Sequence, residues 1–427
     1  MKDSPLINEL LTFLDTSPTA WHAVENISTQ LKEKGFTELQ EGEPWNLQKG
    51  HGYYIRRYAS ICAFITPQEK ACRVRLIASH TDSPGFKLKP NPEIRKNGSL
   101  LLAFEVYGAP LMTSWFNRDL GLAGMVTYLN KKGQVKSKLV TLDRYPLVIP
   151  QLAIHLDREV NEKGLLVNKQ DHLNALVGLE KHLPSSKSYL ETLLGELIEF
   201  KKILHFDLFL YPLTPARLVG YQDSFIASYR IDSLASVHAA LAAFLDGSPP
   251  LREEIKMVTF WDHEEIGSQS EQGAGSVWFS HTLERLSLAL NLSREDYLSL
   301  VSQSHCISVD LAHALHPNYV DKHDPNHQPR LSEGVVLKSN AQQRYATNVH
   351  SATRLCLLAD QLKMPLQKFV SRNDMPCGTT IGPIHAAATG MSTVDIGCGQ
   401  LSMHSARELM STEDHISMYT LLKGIFS

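Results

Sequence analysis

The sequence predicts an α/β protein with a central, largely parallel β-sheet that helices cover on both faces, and with a second domain inserted into the first. Short apolar segments typical of strands alternate with longer segments of helical periodicity, which favours such a sheet. From about residue 92 to 220 the character of the chain changes, and no cluster of reactive residues occurs there, which indicates an insertion. We therefore expect residues 1–92 and 221–427 to form one discontinuous domain, and residues 93–220 the inserted one.

The first predicted element is a helix over residues 18–34. Ser17 is a residue type that caps helices, Pro18 fits the first helical position, and Gly35 supplies a C-terminal stop. Other predicted helical segments cover residues 169–203 (with an interruption at 184–186), 233–245 and 350–362. Predicted strands inside the insertion cover residues 100–106 and 147–154.

Three predicted strands run directly into polar residues. Residues 73–79 are followed by His80, residues 256–261 by a loop with Glu264 and Glu265, and residues 306–309 by Asp310. A further strand is predicted over residues 392–396. Ligands of α/β sheets bind beyond the carboxyl ends of the strands, so these side chains are expected to converge on one site.

Composition and charge exclude several classes of protein. With 427 residues, 42 Lys+Arg and 45 Asp+Glu, the formal charge of −3 gives no electrostatic case for binding nucleic acid or a membrane surface. The six cysteines form no CxxC pair, which favours free thiols in a reducing compartment. The N-terminal segment lacks the apolar core of a signal peptide, and no apolar run is long enough to span a bilayer. We therefore expect a cytoplasmic protein.

Common catalytic motifs are absent from the sequence. It contains neither GxxxxGK[ST] nor GxGxxG, so there is no case for a phosphate-binding loop. It has no GxSxG nucleophile elbow, and His263-Glu264-Glu265-Ile266-Gly267 lacks the second histidine of HExxH. What remains is a set of residues that could bind metal ions in an arrangement other than HExxH.

Metal-capable side chains occur at the predicted turns: His80, Asp82, Asp232, Glu264, Glu265, Asp310 and His404. Two divalent ions and a bridging hydroxide would bring the local charge of Asp232, Glu265 and Asp310 to zero. Because Glu264 and Glu265 are adjacent, one can bind metal while the other accepts a proton from the bound water. Asp82 lies two residues after His80, within reach to orient its ring.

Each of these residues also has an ordinary interpretation. Taken singly, His80 is a loop histidine, Asp232 a helix cap, and Asp310 a turn residue. The pair Glu264-Glu265 is typical of a solvated loop. His305 and His404 are equally compatible with metal binding, and spacing does not choose between them.

Several longer motifs identify a resemblance to a known family. These are, in chain order, Ser79-His80-Thr81-Asp82-Ser83-Pro84, Arg230-Ile231-Asp232-Ser233-Leu234, Asp262-His263-Glu264-Glu265-Ile266-Gly267-Ser268, Ser308-Val309-Asp310-Leu311-Ala312-His313-Ala314, His316-Pro317-Asn318-Tyr319, Arg372-Asn373-Asp374-Met375-Pro376-Cys377-Gly378-Thr379-Thr380 and Met403-His404-Ser405-Ala406-Arg407-Glu408. They resemble the aspartyl aminopeptidases, which are cocatalytic di-zinc metallopeptidases, and they extend over essentially the whole chain. One segment, Gly397-Cys398-Gly399, is smaller than the family leads us to expect at that place.

The resemblance implies a role for each matching residue. Asp232 would bridge two zinc ions, for which Mn²⁺ or Co²⁺ could substitute. His80 and Asp310 would complete one metal site, and Glu265 and His404 the other. Glu264 would be the general base, and Asp82 would orient His80. The resemblance also implies that Lys338 binds the acidic side chain of the substrate and that His155 reaches a neighbouring subunit's site. The resemblance further implies that the insertion is a mostly β dimerisation domain and that the subunits assemble into a dodecamer.

The sequence therefore predicts an aminopeptidase that removes N-terminal residues, preferably Asp or Glu, from peptides. The alternative among enzymes is a di-metal aminopeptidase or deacylase for neutral substrates, against which only Lys338 argues. A metal-binding scaffold without activity is the alternative from another class. Lys338 could equally be an ordinary solvated lysine, and His155 an ordinary histidine in a strand.

Overall fold

The structure is a computed structural model that describes residues 4–183, 186, 188–247 and 252–427. The chain divides into two compact units, of which the first comprises Met1–Asp82, Ala216–Met403 and Glu408–Ser427, and the second Ser83–Pro215 and His404–Arg407. The second unit thus begins at Ser83, whereas the predicted insertion begins at residue 93. A role of this unit in dimerisation stays a prediction.

The secondary structure of the described residues alternates helices and strands along most of the chain. The helices are α1 (Pro5–Thr16), α2 (Ala20–Glu33), α3 (Val160–Lys163), α4 (Tyr189–Leu197), α5 (Ile231–Asp246), α6 (Trp278–Ala289), α7 (Arg294–Gln303), α8 (Val349–Gln361), α9 (Ile381–Thr389) and α10 (Thr412–Ile425). The strands are β1 (Thr37–Glu38), β2 (Gly52–Arg57), β3 (Ser60–Ile65), β4 (Arg73–His80), β5 (Gly85–Lys96), β6 (Ser99–Tyr107), β7 (Leu120–Leu129), β8 (Val135–Leu147), β9 (Ala175–Leu179), β10 (Lys202–Pro212), β11 (Arg217–Val219), β12 (Phe225–Ser228), β13 (Glu254–Trp261), β14 (His305–Val309), β15 (Ala312–His313), β16 (Val335–Lys338), β17 (Leu366–Phe369), β18 (Ser392–Gly397), β19 (Gly399–Leu401) and β20 (Glu408–Ser411). Within the described ranges, every helix is too short or too polar to cross a bilayer.

The first unit is built on a nine-stranded mixed sheet with the order β1-β2-β3-β13-β4-β14-β18-β16-β17. Its central block, β13-β4-β14-β18, is wholly parallel, while β3 and β16 join that block in antiparallel orientation. The predicted α/β class is therefore confirmed. The three strands with polar ends, β13, β4 and β14, are direct neighbours in this block.

Helix α5 supplies much of the apolar core on one face of this sheet. Its buried side chains include many alanines, and these allow the helix to pack closely on β4 and β13. Helices α1 and α10 pack against α5 in turn. The helix carries Asp232 in its first turn, so the core fixes the position of that carboxylate.

The start of the chain differs from its prediction. The helix predicted from Pro18 begins at Ala20, and its N-cap is Thr19, because the Thr19 side chain accepts the N–H of His22. Helix α1 precedes it and was not predicted. Its apolar positions, including Ile7, Leu10 and Phe13, are buried in the core of the first unit.

The second unit contains a six-stranded antiparallel sheet with the order β8-β7-β10-β5-β6-β9. The prediction of a mostly helical segment over residues 169–203 is wrong: among the described residues of this range only α4 and a short turn are helical, while β9 pairs with the edge of β6. Tertiary pairing thus overrides the local helical pattern. Within the interruption predicted at 184–186, residues 184 and 185 lie outside the described residues. The strand predicted over 147–154 is also mostly wrong, since β8 ends at Leu147.

Two buried histidines of the first unit make its stability sensitive to acid. His238 on α5 and His415 on α10 are fully buried, with Nδ1 of the first 3.0 Å from Nε2 of the second. Burial lowers the pKa of His238 from 6.5 to about 4, and burial together with His238 lowers the pKa of His415 well below 6.5. Both rings are therefore neutral when folded, whereas in the unfolded chain they bind protons below about pH 6.5.

We expect the free energy of unfolding to have its full value above pH 7 and to decrease as the pH falls below about 6.5, where the unfolded chain binds protons on both histidines. His238 alone accounts for a loss of about 2 kcal/mol between pH 7.5 and 5. Urea unfolding at both pH values would measure it, and the loss should shrink in His238→Gln. The matched control is His350→Gln, at an exposed position of α8. An equal loss in wild type and His238→Gln would contradict this prediction.

Candidate active site

The carboxyl ends of three parallel strands meet at one edge of the nine-stranded sheet. His80 is the last residue of β4 and lies opposite Trp261, the last residue of β13. Asp310 follows directly after β14, on the other side of β4. Strand adjacency therefore brings His80, the loop after β13 and Asp310 together.

His80, Asp232 and Asp310 form a buried cluster at this edge. Nε2 of His80 lies 3.2 Å from Oδ1 of Asp310 and 3.4 Å from Oδ1 of Asp232. The three side chains can offer ligand atoms that all lie within 4.8 Å of one another. One imidazole nitrogen and two carboxylates suit a zinc ion, which binds N and O donors of this kind.

Asp232 is positioned by contacts on both sides of it. Its backbone N–H donates to Oε2 of the buried Glu408 over 2.9 Å. Arg230, which has a left-handed backbone conformation (φ 64°), donates from its guanidinium to the carbonyl oxygens of Thr81 and Pro18. The backbone of Asp232 itself is extended and not helical (φ −82°, ψ 109°).

Asp82 connects His80 with the loop after β13. Its carboxylate accepts the backbone N–H of Glu264 on Oδ1 and that of Glu265 on Oδ2, each over 3.1 Å. Nδ1 of His80 lies 3.1 Å from the carbonyl oxygen of Asp82 and 3.5 Å from its Oδ1. Asp82 thus contacts the ring that it was predicted to orient, and it also fixes the turn that carries both glutamates. His80, Glu264 and Glu265 form a second group of potential ligands within 4.8 Å.

The carboxylates at this edge are crowded and desolvated. Burial, together with the charges of Asp310, Asp82 and Asp232, raises the pKa of Glu264 from 4.5 to about 8. Burial and the charges of Asp232 and Glu264 raise the pKa of Glu265 well above 4.5. Burial lowers the pKa of His80, but hydrogen bonds to the neighbouring aspartates outweigh it and the net shift is upward. The cluster therefore holds more negative charge than the protein neutralises, and divalent cations would compensate that charge.

Lys338, the last residue of β16, is buried at the same edge. Its Nζ lies 3.3 Å from Oδ2 of Asp310 and donates to the carbonyl oxygen of Leu311 over 3.0 Å. It also lies 5.2 Å from the ring centre of Tyr345. With 1 % of its surface exposed, Lys338 is not the solvated lysine of the plain interpretation.

The sequence named three further histidines, His155, His305 and His404. His305 is the first residue of β14, at the opposite end of the strand from Asp310, where the Arg354 guanidinium contacts it. This removes His305 as an alternative to His404. His404 belongs to the second unit, and its Nδ1 lies 3.0 Å from the carbonyl oxygen of Ala109. His155, in the same unit, lies in an exposed turn and not in a strand.

Close contacts with neighbouring atoms explain the two glycines in the segment 397–399. A Cβ atom on Gly397 would lie 1.8 Å from the carbonyl oxygen of Asp310, so only glycine allows the two backbones to approach. A Cβ atom on Gly399 would lie 3.2 Å from Cβ of Ala314. Gly397 therefore helps to position Asp310.

Two supporting residues were not predicted. Glu408 lies within a quoted motif, but only the structure shows that it holds the N–H of Asp232. Asp262 is buried, accepts a hydrogen bond from Gln272 Nε2 over 2.9 Å, and donates its own N–H to the Ser60 hydroxyl. Burial and the charge of Asp82 raise the pKa of Asp262 from 3.8 to about 6. In the sequence, only the position of these two residues close to the ligand candidates could have indicated a supporting role.

A comparison with known families gives a match over nearly the whole chain. The profile of the family described as "Aminopeptidase I zinc metalloprotease (M18)" matches residues 13–426. The chain belongs to the M18 family of zinc aminopeptidases. The resemblance to aspartyl aminopeptidases found in the sequence is thereby confirmed at the level of the family.

Individual relatives of this M18 aminopeptidase match over nearly their whole length. A probable M18 family aminopeptidase 2 of Streptomyces coelicolor is 40% identical over 413 residues, which are 95% of this chain and 94% of the relative. A probable aspartyl aminopeptidase of Ricinus communis is 37% identical over 463 aligned residues, covering 98% and 94% of the two chains. The solved S. cerevisiae mApe1 dodecamer superimposes with a TM-score of 0.85 at 27% identity, covering 99% of this chain and 96% of that one.

Proposed function

We propose that this M18 aminopeptidase removes N-terminal residues from peptides, with a preference for Asp and Glu. The observation that carries the proposal is the buried cluster of His80, Asp232 and Asp310, with Glu264 and Glu265 beside it. The name of the Ricinus communis relative, a probable aspartyl aminopeptidase, supports the acidic preference.

We propose that five residues hold two zinc ions in each subunit. His80 and Asp310 would hold one ion, Glu265 and His404 the other, and Asp232 both. Two ions at these residues would lower the pKa of a shared water and polarise the scissile carbonyl. The same imidazole and carboxylate donors also accept Mn²⁺ or Co²⁺.

Glu264 is the proposed general base. Its carboxylate takes a proton from the attacking water and gives it to the leaving amine, as one group can do in both halves of the reaction. One feature supports this role: the side chain lies beside the proposed ligands His80 and Glu265. The N–H bond to Asp82 keeps the backbone of Glu264 in place during both transfers.

Lys338 is the proposed partner of the substrate's acidic side chain. A buried ammonium group forms a stronger ionic hydrogen bond to a carboxylate than an exposed one. Its present partner, Asp310, becomes a metal ligand in the proposed site, which would leave Lys338 to bind the substrate. Should Lys338 stay committed to Asp310, the enzyme would prefer neutral residues.

Assembly is proposed from the relatives. The solved mApe1 structure is a dodecamer, which supports a homo-oligomer. We propose in addition that it is built from dimers, that the second unit mediates dimerisation, and that His155 reaches a neighbouring subunit's site. The exposed turn that carries His155 is compatible with such a role. We also propose a cytoplasmic location, supported by six cysteines with free thiols.

A substrate panel tests the proposed function. Initial hydrolysis rates of zinc-loaded protein would be measured on the p-nitroanilides of Asp, Glu, Leu and Lys. We expect kcat/KM for Asp and Glu to exceed that for Leu about tenfold or more, the effect of one ionic hydrogen bond. A preference for Leu would favour the neutral aminopeptidase, and no cleavage of any amide would favour the scaffold.

A further inference from the structure

A fully buried carboxylate, that of Asp395 on β18, lies beside Lys338 and has no role in the proposed metal site. The antiparallel ladder between β18 and β16 pairs Ile396 with Leu337. Continued by one residue, this register brings Asp395 opposite Lys338. Residues directly opposite each other in a sheet point to the same face, with Cβ atoms about 4.5–5.5 Å apart. Asp395 is therefore placed to act on the proposed specificity residue.

The charges of these two residues attract each other. Burial raises the pKa of Asp395, and the charge of Lys338 opposes that rise. The ammonium group donates its hydrogen bonds elsewhere, to Oδ2 of Asp310 and to the carbonyl oxygen of Leu311. Asp395 thus attracts the ammonium group without using any of its three N–H donors.

Asp395 also holds the segment that carries Tyr345. Its Oδ2 accepts the backbone N–H of Ala346 over 2.6 Å, and its own N–H donates to Oγ1 of Thr347 over 3.0 Å. Its Oδ1 accepts the hydroxyl of Thr380 over 2.7 Å. All of these residues are buried, so water does not compete for the hydrogen bonds. The backbone that follows Tyr345 is therefore fixed by both the side chain and the backbone of Asp395.

The ring of Tyr345 connects this segment with Lys338. Its centre lies 5.2 Å from Nζ of Lys338, within the range in which an aromatic face attracts an ammonium group. The other side of the contact is supported by Phe369, whose ring centre lies 6.3 Å from that of Tyr345. A lysine side chain has four rotatable bonds, so a ring packed on its end limits where the charge can lie. The position of Tyr345 therefore decides the direction of the ammonium group.

We infer that Asp395 is a positioning residue for the specificity pocket: it holds residues 345–347 so that Tyr345 packs on Lys338, and it thereby orients the ammonium group toward an acidic side chain of the substrate. The inference rests on the proposed function and deepens it, because it makes the acidic preference depend on a residue that touches neither substrate nor metal. An Asp395 that only stabilises the fold would affect all substrates alike.

The test compares two substrates in zinc-loaded wild type and Asp395→Asn. Asparagine has the same size, and its amide can still accept from Ala346 and donate to the Thr380 hydroxyl, but it carries no charge. We expect kcat/KM for Asp-p-nitroanilide to fall about fivefold, mainly through KM, as the exchange of charged for neutral hydrogen bonds predicts. The value for Leu-p-nitroanilide should change much less. Asp360→Asn, at an exposed position of α8, is the matched control.

A double-mutant cycle shows whether Asp395 acts through Lys338. In the background of Lys338→Met, Asp395→Asn should leave the ratio of the Asp and Leu rates unchanged, because the group that it positions is already absent. A further fivefold loss in that background would show that Asp395 acts independently of Lys338, which contradicts the inference.

Other outcomes also overturn the inference. Equal losses on both substrates would show a purely structural role for Asp395, and an unchanged ratio would remove it from the specificity pocket. Wild type that prefers Leu or cleaves nothing overturns the proposed function and this inference together, whereas an unchanged ratio in a variant of an Asp-preferring enzyme overturns the inference alone. If Asp395→Asn does not fold, Thr347→Val makes the same comparison, because it removes the acceptor of the Asp395 N–H from the segment; a loss of about threefold in the ratio is then expected.

Discussion

Glu264→Gln is expected to lower kcat by about 10³-fold, within the range of 10²–10⁴ that one general base contributes. Glutamine keeps the size of the side chain but does not accept a proton from water. The backbone N–H of residue 264 still donates to Asp82, so the turn keeps its shape. Hydrolysis of Asp-p-nitroanilide at saturating substrate would measure the loss, and the rate should approach that of wild type treated with a chelator.

Measuring the zinc content shows whether Glu264→Gln loses activity because the general base is missing or because the metal site is lost. Zinc per subunit should be the same in Glu264→Gln and wild type, because Glu264 is not among the proposed ligands. Chelated wild type should recover with added zinc, whereas the variant should not. Glu295→Gln, at an exposed position of α7, controls for removal of one charge. Near-normal turnover by Glu264→Gln, or zinc loss in step with activity, would disprove the assignment of Glu264 as base.

The strands that carry the site could be predicted because their sequences are unambiguous. β4, β13 and β14 are short apolar runs bounded by polar turns, and each was predicted to within two residues of its observed bounds. Their polar ends meet because parallel strands align their carboxyl ends at one edge. The convergence of His80, Glu264, Glu265 and Asp310 is thus a consequence of topology that a sequence can reveal.

Contacts within the site depend on geometry that spacing does not encode. Asp82 was predicted to orient His80, but its bonds to two backbone N–H groups in a loop some 180 residues away depend on how β4 and β13 pair. Glu408 holds Asp232 across 176 residues of sequence for the same reason. Lys338 looks like any surface lysine in sequence, and only the pairing of β16 with β18 buries it.

The insertion was the least predictable region. Its strands are long, partly exposed and bordered by turns, so their apolar pattern is weak and a helical periodicity competes with it. β9 forms because the edge of β6 offers it hydrogen bonds, not because its own sequence demands a strand. Propensity alone therefore misassigns such segments.

Lys338→Met is expected to lower kcat/KM for Asp-p-nitroanilide about 10- to 100-fold while changing that for the Leu substrate much less. One hydrogen bond between charged groups contributes about 1.5–3 kcal/mol, and each 1.4 kcal/mol is a factor of ten. Methionine fills the volume of the lysine stem beside Tyr345 and adds no charge. The ratio of the two rates, measured on zinc-loaded protein, isolates the contribution of the ammonium group to acidic preference.

The ion pair between Lys338 and Asp310 makes a control necessary, because removal of the ammonium also changes the surroundings of a proposed ligand. Zinc content and the rate on the Leu substrate report that second effect, since both depend on Asp310 but not on an acidic substrate. Lys368→Met, at an exposed position of the neighbouring strand β17, should alter neither rate. Equal losses on both substrates would show that Lys338 acts through Asp310, and an unchanged Asp rate would remove it from the specificity pocket.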